Sequence, residues 1–105
     1  MTDVLRIAIA GSGRMGQAIA AQVVTANDAD LVGVWSRNPA RDEARFPAGT
    51  SLSPDIDALV DLADVLIDFS LPAGTVVAAG AAAAAHTPLV WGVSGLDAGQ
   101  LAALH

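Results

Sequence analysis

The 105-residue sequence predicts one α/β domain with a parallel sheet covered by helices on both faces. Three observations lead there. Four short runs are almost wholly apolar, at 5–10, 31–35, 65–69 and 89–93, as strands buried on both faces must be. The stretches between them carry helical spacing or helix-start signals. Hydrophobic residues make up 53% of the chain, with only two Phe and two Trp, so Ala, Val, Leu and Ile fill the core and suit close helix-on-sheet packing. A disordered chain is excluded, because such chains are poor in apolar residues.

Element by element, Leu5 to Ala10 reads as a strand that stops at Gly11. Met15, Ile19 and Val23 then recur at helical spacing, giving a helix to about Thr25 that Asn27-Asp28 ends. Leu31 to Trp35 is a second strand. Arg37 to Gly49 holds most of the Arg, two Pro and a Gly, and reads as a solvated connection. A short strand is expected around Thr50 to Leu52. Ser53-Pro54-Asp55 reads as an N-cap, a proline at the first helical position and an acidic first turn, opening a helix to about Ala63. Val65 to Phe69 is the next strand. Pro72 opens an alanine-rich helix to about His86, whose side chain is expected to cap the last carbonyls. Leu89 to Val93 is a further strand, and Asp97 with Gln100 forms a capping pair for one more helix. No period repeats.

The formal net charge is −6, with five Arg and no Lys. That balance argues against nucleic acid or an anionic membrane as partner, so any bound phosphate is held locally by backbone N–H groups and placed Arg. The absence of Cys excludes disulfides and thiolate metal sites. Met1-Thr2-Asp3 lacks the basic region and apolar segment of a secretion signal. Leu71 to Leu96 contains no charged residue, but Pro72, Gly80, Pro88, Gly92 and Gly95 break it. It reads as a buried helix and strand rather than a membrane span of about 20 residues.

Gly11-Ser12-Gly13-Arg14-Met15-Gly16 is a G-x-G-x-x-G motif, weak alone. Here an apolar strand precedes it, a helix follows, and a second strand ends about 20 residues on, the setting of a dinucleotide-binding turn. Gly11 permits the turn, Gly13 presents no Cβ to a pyrophosphate, and Gly16 lets the helix approach the sheet. The free amides and positive end of the helix face the phosphates. The fold expected is therefore a Rossmann-type, doubly wound, three-layer α/β/α domain covering residues 1–105.

At the end of the second strand, Trp35-Ser36-Arg37 offers no acid to chelate the adenosine ribose hydroxyls. Ser36 can donate to a phosphate oxygen, and Arg37 presents a planar fork suited to a 2′-phosphate, so NADPH is expected over NADH. Two further loops follow strands: Asp68-Phe69-Ser70-Leu71-Pro72 and Trp91-Gly92-Val93-Ser94-Gly95. Asp68 reads as structural, accepting bonds from loop amides. Neither His86 nor His105 belongs to a catalytic constellation, and no metal-ligand cluster is visible.

Ile7-Ala8-Ile9-Ala10-Gly11 with Gly13-Arg14-Met15-Gly16-Gln17 resembles the N-terminal signature of the dihydrodipicolinate reductase family. Val65 to Ser70 followed by Pro72, Gly74 and Thr75 is similar to its I-D-F-[ST]-x-P-x-G-T stretch, and Gly92-Val93-Ser94-Gly95 before Leu96 to its G-T-T-G-[FL] loop. The three motifs span nearly the whole chain in order. The resemblance implies an NAD(P)H-dependent cytoplasmic oxidoreductase of lysine and diaminopimelate biosynthesis. It further implies that Gly11 to Gly16 hold the pyrophosphate, that Ser36 and Arg37 meet the adenosine ribose or its phosphate, and that Gly92, Val93 and Ser94 lie by the nicotinamide.

Together with Phe69 and Ser70, these are the expected cofactor contacts. Three departures stand out: the family loop is more often one residue longer, many members carry an acid where Ser36 stands, and Val93 and Ser94 replace two Thr. The family's catalytic segment lies in a second domain beyond His105, so no catalytic residue is expected here, and homo-oligomerisation is expected through that second domain. Two rival readings use the same fold: the cofactor domain of another dehydrogenase, or a non-catalytic binding or regulatory module.

Overall fold

The computed structural model describes residues 4–70 and 72–91. Five parallel strands, β1 (Leu5–Ala10), β2 (Ala29–Trp35), β3 (Leu52–Ser53), β4 (Val65–Asp68) and β5 (Leu89–Trp91), lie in the order β3-β2-β1-β4-β5. Four helices connect them: α1 (Arg14–Thr25), α2 (Pro39–Asp42), α3 (Ile56–Leu62) and α4 (Pro72–Ala84). The chain walks outward from β1 to β3, then returns to place β4 on the other side of β1. That reversal creates the crevice at the carboxyl ends of the strands where ligands of open α/β sheets bind. The expected doubly wound parallel sheet is what forms.

The side-chain period of two on β1 builds the layers. Ala8 and Ala10 point to one face and pack with Ile56, Leu59 and Val60 of α3 and Ala78, Ala81 and Ala82 of α4. Ile7 and Ile9 point to the other, against Ala20 and Val23 of α1, Val34 and Phe46. The alanine face lets two helices sit close, whereas the isoleucine face meets one helix and an aromatic ring. Ala8, Ile9, Ala10, Val34 and Leu66 are wholly buried.

Several boundaries differ from expectation for local reasons. The connection 37–49 is not simply solvated: Asn38 caps α2, its side chain accepting from the Arg41 N–H at 3.2 Å, and a 3-10 turn follows at Glu43–Arg45. Asp42 and Phe46 within it are buried. The cap of α3 is Asp55 rather than Ser53. Asp55 accepts from the Ala58 N–H at 3.2 Å, and Ser53 Oγ instead accepts from the Asp55 N–H at 3.0 Å. The short third strand falls at Leu52–Ser53, paired with Val34 and Trp35.

At the end of α4, His86 adopts a left-handed backbone (φ 56°). The His86 N–H donates to the Ala83 carbonyl and the Thr87 N–H to Ala82, so main chain rather than the imidazole closes the helix. The part of the expected fifth strand beyond Trp91, and the helix from Asp97, lie outside the described residues.

Candidate functional site

A cleft of about 400 Å³ opens at the carboxyl edge of the sheet. Its walls come from three strand ends: Gly11, Ser12 and Gly13 after β1; Trp35, Arg37, Asn38 and Arg41 at and beyond the end of β2; Phe69, Ser70 and Gly74 after β4. β1, β2 and β4 are the strands on either side of the topological reversal, so the cleft lies where the fold predicts a ligand.

The three glycines of the turn act differently. Gly11 has φ +114°, and a Cβ there would come within 2.9 Å of the Phe69 carbonyl carbon and the Ser70 amide nitrogen. Gly16 packs so closely on Gly11 that a Cβ would overlap the Gly11 carbonyl oxygen. At Gly13 a Cβ would meet nothing within 4 Å. This glycine faces open space in the cleft, where a side chain would stand in the way of a ligand and not of the protein.

Gly13 is also the N-cap of α1 and offers no side-chain oxygen. The first helical hydrogen bond runs from the Gln17 N–H to the Gly13 carbonyl at 3.0 Å. Amides of the first turn therefore have no acceptor within the helix, and with the helix dipole they suit a phosphate group. Gln17 Nε2 donates to the Ser12 carbonyl at 3.0 Å and pins the turn. Of the other expected contacts on this segment, Arg14 and Met15 are exposed, and Gly16 is buried in packing.

The end of β2 is more elaborate than its sequence suggests. Ser36 is buried, and its hydroxyl donates to Asp42 Oδ2 at 2.6 Å while accepting from the Asn38 N–H at 3.2 Å. Its hydroxyl hydrogen thus points at a carboxylate. Asp42 is wholly buried. Its Oδ1 receives Arg41 Nε at 3.0 Å and Arg45 Nη1 at 3.4 Å, and Oδ2 also receives Arg41 Nη2 at 3.4 Å. Hydrogen bonds from Arg41 and then Ser36 hold its carboxyl far below the usual carboxylate range. Arg37 is exposed on the cleft wall. The Trp35 indole N–H donates to the Pro54 carbonyl at 3.0 Å, fixing its ring beside the cleft.

On the third wall, Asp68 Oδ1 accepts both the Ser70 N–H at 2.8 Å and the Ser70 hydroxyl at 2.5 Å, the loop-bracing role its position suggests. Asp68 Oδ2 and Thr75 Oγ1 are buried with no hydrogen-bond partner among the described residues. The expected contacts Gly92, Val93 and Ser94 lie outside the described residues.

The cleft thus brings together Gly11, Ser12, Gly13, Arg37, Phe69 and Ser70 from the sequence expectation, and adds Trp35, Asn38, Arg41, Gly74 and the buried Asp42 behind them. Asn38-Pro39, a cap residue before a proline, was a legible sign that Arg41 and Asp42 belong to a helix rather than a loose loop. Among the described residues no cluster suited to a metal ion occurs, and no helix is long and apolar enough to cross a membrane.

The family described as "Dihydrodipicolinate reductase, N-terminus" matches residues 5–105. A 4-hydroxy-tetrahydrodipicolinate reductase from Thermomicrobium roseum is 46% identical over 98 residues, 89% of this chain and 38% of the relative. One from Burkholderia multivorans is 42% identical over 109 residues, 96% of this chain and 41% of the relative. The chain thus spans about two fifths of the length of these relatives.

Among solved structures, a dipicolinate-bound dihydrodipicolinate reductase from Paenisporosarcina sp. TG-14 superposes with TM-score 0.76 at 24% identity, covering 94% of this chain and 41% of that one. A UDP-N-acetylglucosamine 3-dehydrogenase from Acidithiobacillus ferrooxidans gives 0.77 at 22% identity, covering 95% and 33%. At those identities the structures speak for the fold alone. Family and fold together make this a dinucleotide-binding domain of the NAD(P)H type, and the chain belongs to the dihydrodipicolinate reductase N-terminal family.

Proposed function

We propose that this domain is the cofactor half of a 4-hydroxy-tetrahydrodipicolinate reductase of lysine and diaminopimelate biosynthesis, and that it binds NADPH in preference to NADH. The observation carrying the preference is the wall beyond β2. It presents Arg37, Asn38 and Arg41 to the cleft, and no carboxylate lines the cleft among the described residues. An acid at that place would chelate the ribose hydroxyls of NADH, while a guanidinium fork matches the 2′-phosphate of NADPH.

The remaining roles follow from the cleft's construction. Amides at Gly13 and the first turn of α1 hold the pyrophosphate, and Trp35 offers a flat apolar face near the adenosine end. Phe69 and Ser70 border the path toward the nicotinamide. When bound, the cofactor supplies the hydride, and the protein's part is to hold and orient it. We infer that the groups acting on substrate belong to the part of those relatives that this chain does not span, so the 105 residues are expected to bind cofactor and turn over no substrate by themselves.

Titration of the chain with NADPH and with NADH tests the reading. NADPH is expected to bind the tighter, with Arg37→Ala cutting the preference by about tenfold, the loss of one charge-assisted phosphate contact. Equal affinities that Arg37→Ala leaves unchanged would refute the NADPH preference. Reduction of the dihydrodipicolinate precursor by this chain alone would refute the division of labour.

A further inference from the structure

Arg37 accounts for one cation at the adenosine end of the cleft, but the structure places a second, more constrained one beside it. Arg41 lines the same cleft, with its side chain 58% exposed, and its Nε and one Nη are anchored on Asp42 at 3.0 and 3.4 Å. Asp42 is 0% exposed, in a connection whose other charged residues are at the surface. It draws in Ser36 from the end of β2 and both Arg41 and Arg45. One buried carboxylate thus ties the end of β2 to two guanidinium groups of the wall suited to the 2′-phosphate.

Burial of a carboxylate is costly unless it is paired and hydrogen-bonded, and this one is both. What the carboxylate adds is direction. A free Arg side chain samples many rotamers, and a phosphate that recruits it must freeze them. A guanidinium held by two of its nitrogens has already lost that freedom, while its remaining N–H groups stay available to the cleft.

We propose that Asp42 is a positioning residue for cofactor selection: it fixes Arg41, and through Ser36 the adjoining backbone, in the geometry that receives the 2′-phosphate of NADPH. The inference rests on the NADPH reading above and adds a residue that never touches the cofactor itself. The ligand it governs is the phosphomonoester of the adenosine ribose. The pyrophosphate shared by NADH and NADPH depends on the glycine turn.

The proposal makes a prediction of sign that simple charge counting reverses. Asp42→Asn removes a negative charge close to where a phosphate would bind, so unaided electrostatics tightens NADPH. Positioning predicts the opposite, because the Asn amide donates where Arg41 also donates and the fork comes apart. The experiment is calorimetric titration of NADPH and NADH against the wild-type chain, Asp42→Asn and Arg41→Lys, with a thermal melt of each.

In Asp42→Asn the NADPH-to-NADH affinity ratio is expected to fall about tenfold, with NADH changed less than twofold. Arg41→Lys keeps the charge but not the planar fork, so it is expected to lose a comparable share of the ratio. It also carries the test should Asp42→Asn fail to fold. An unchanged or increased ratio in Asp42→Asn overturns the proposal, as does an unchanged ratio in Arg41→Lys. A wild-type chain that binds both cofactors equally defeats the NADPH reading and this proposal with it. A wild-type preference for NADPH that survives both substitutions defeats this proposal alone.

Discussion

A single methyl group placed at Gly13 or at Gly16 separates binding from folding in this domain. At Gly13 the backbone (φ −77°, ψ −170°) is one that any L-residue adopts, and a Cβ would touch no protein atom within 4 Å. Alanine there gains roughly 0.4–1 kcal/mol by restricting the unfolded chain. It loses a similar amount because glycine is the better N-cap, so stability is expected to stay within about 0.5 kcal/mol of wild type. The methyl stands in the cleft, however, in front of the first-turn amides. Pushing a diphosphate off even one charge-assisted hydrogen bond, about 1.5–3 kcal/mol, weakens binding at least about tenfold.

At Gly16 the balance is opposite. The Cβ would overlap the Gly11 carbonyl oxygen and lie 3.5 Å from Ile9 Cγ2, backbone against backbone with no flexible end to give way. Overpacking of about 1–3 kcal/mol exceeds the helix-propensity gain of at most about 1 kcal/mol. The melting temperature is expected to fall by roughly 5–15 °C at about 4–8 °C per kcal/mol. Thermal melts followed by circular dichroism, paired with NADPH titrations, read both quantities. The reasoning is refuted if Gly13→Ala binds NADPH within twofold of wild type, or if it melts as low as Gly16→Ala.

Two further outcomes are expected. His86→Gly should stabilise the domain by about 0.5–1 kcal/mol, since His86 pays the left-handed backbone cost at the end of α4 while main-chain hydrogen bonds close the helix; a lower urea midpoint would count against this. Stability should also fall on acidification. Asp64, lowered by the Arg6 backbone N–H and guanidinium, and Asp42, lowered by Arg41 and the Ser36 hydroxyl, both have folded values below the ordinary 3.8. Their contributions are complete above the unfolded value and are lost as pH drops through the folded ones. Urea midpoints should therefore decline from about pH 5 to about pH 3, less steeply in Asp64→Asn, and a flat wild-type profile would contradict both assignments.

The legible part of this fold is the part in which local sequence and tertiary role coincide. β1 is apolar because both its faces are covered, so Leu5 to Ala10 declares itself without knowledge of its neighbours. The glycine turn is readable for a similar reason: Gly16 answers to Gly11 and Gly11 to the adjacent loop, while Gly13 faces only the cleft. The segment 37–49 fails that test. Asp42 in isolation is a charged residue in an Arg-rich loop, and only Ser36 and two guanidinium groups converging on it make burial possible. The cap-then-proline signature misled and succeeded in the same chain. At Ser53-Pro54 the following Asp55 takes the capping role, whereas at Asn38-Pro39 the cap forms as the signature describes. Which of two neighbouring polar residues caps a helix is decided by where the chain leaves the sheet, and sequence spacing does not encode that.

The placement of charge resolves an apparent contradiction between a net charge of −6 and an anionic ligand. Arg6 lies near the amino end of β1 and is paired with Asp64 at 3.2 Å, away from the cleft. Arg14 opens α1, and Arg37, Arg41 and Arg45 follow β2, so four of the five cations lie beyond the carboxyl ends of strands. Asp28, Asp30 and Asp64 stand at the opposite edge, where β2 and β4 begin. With a Debye length of about 8 Å at physiological ionic strength, charges across the sheet are largely screened from a phosphate in the cleft. The residues lining the cleft decide, and the charged ones among them are Arg37 and Arg41. A net charge describes how such a domain behaves toward a polyanionic surface; the strand ends describe what it does with one small phosphate.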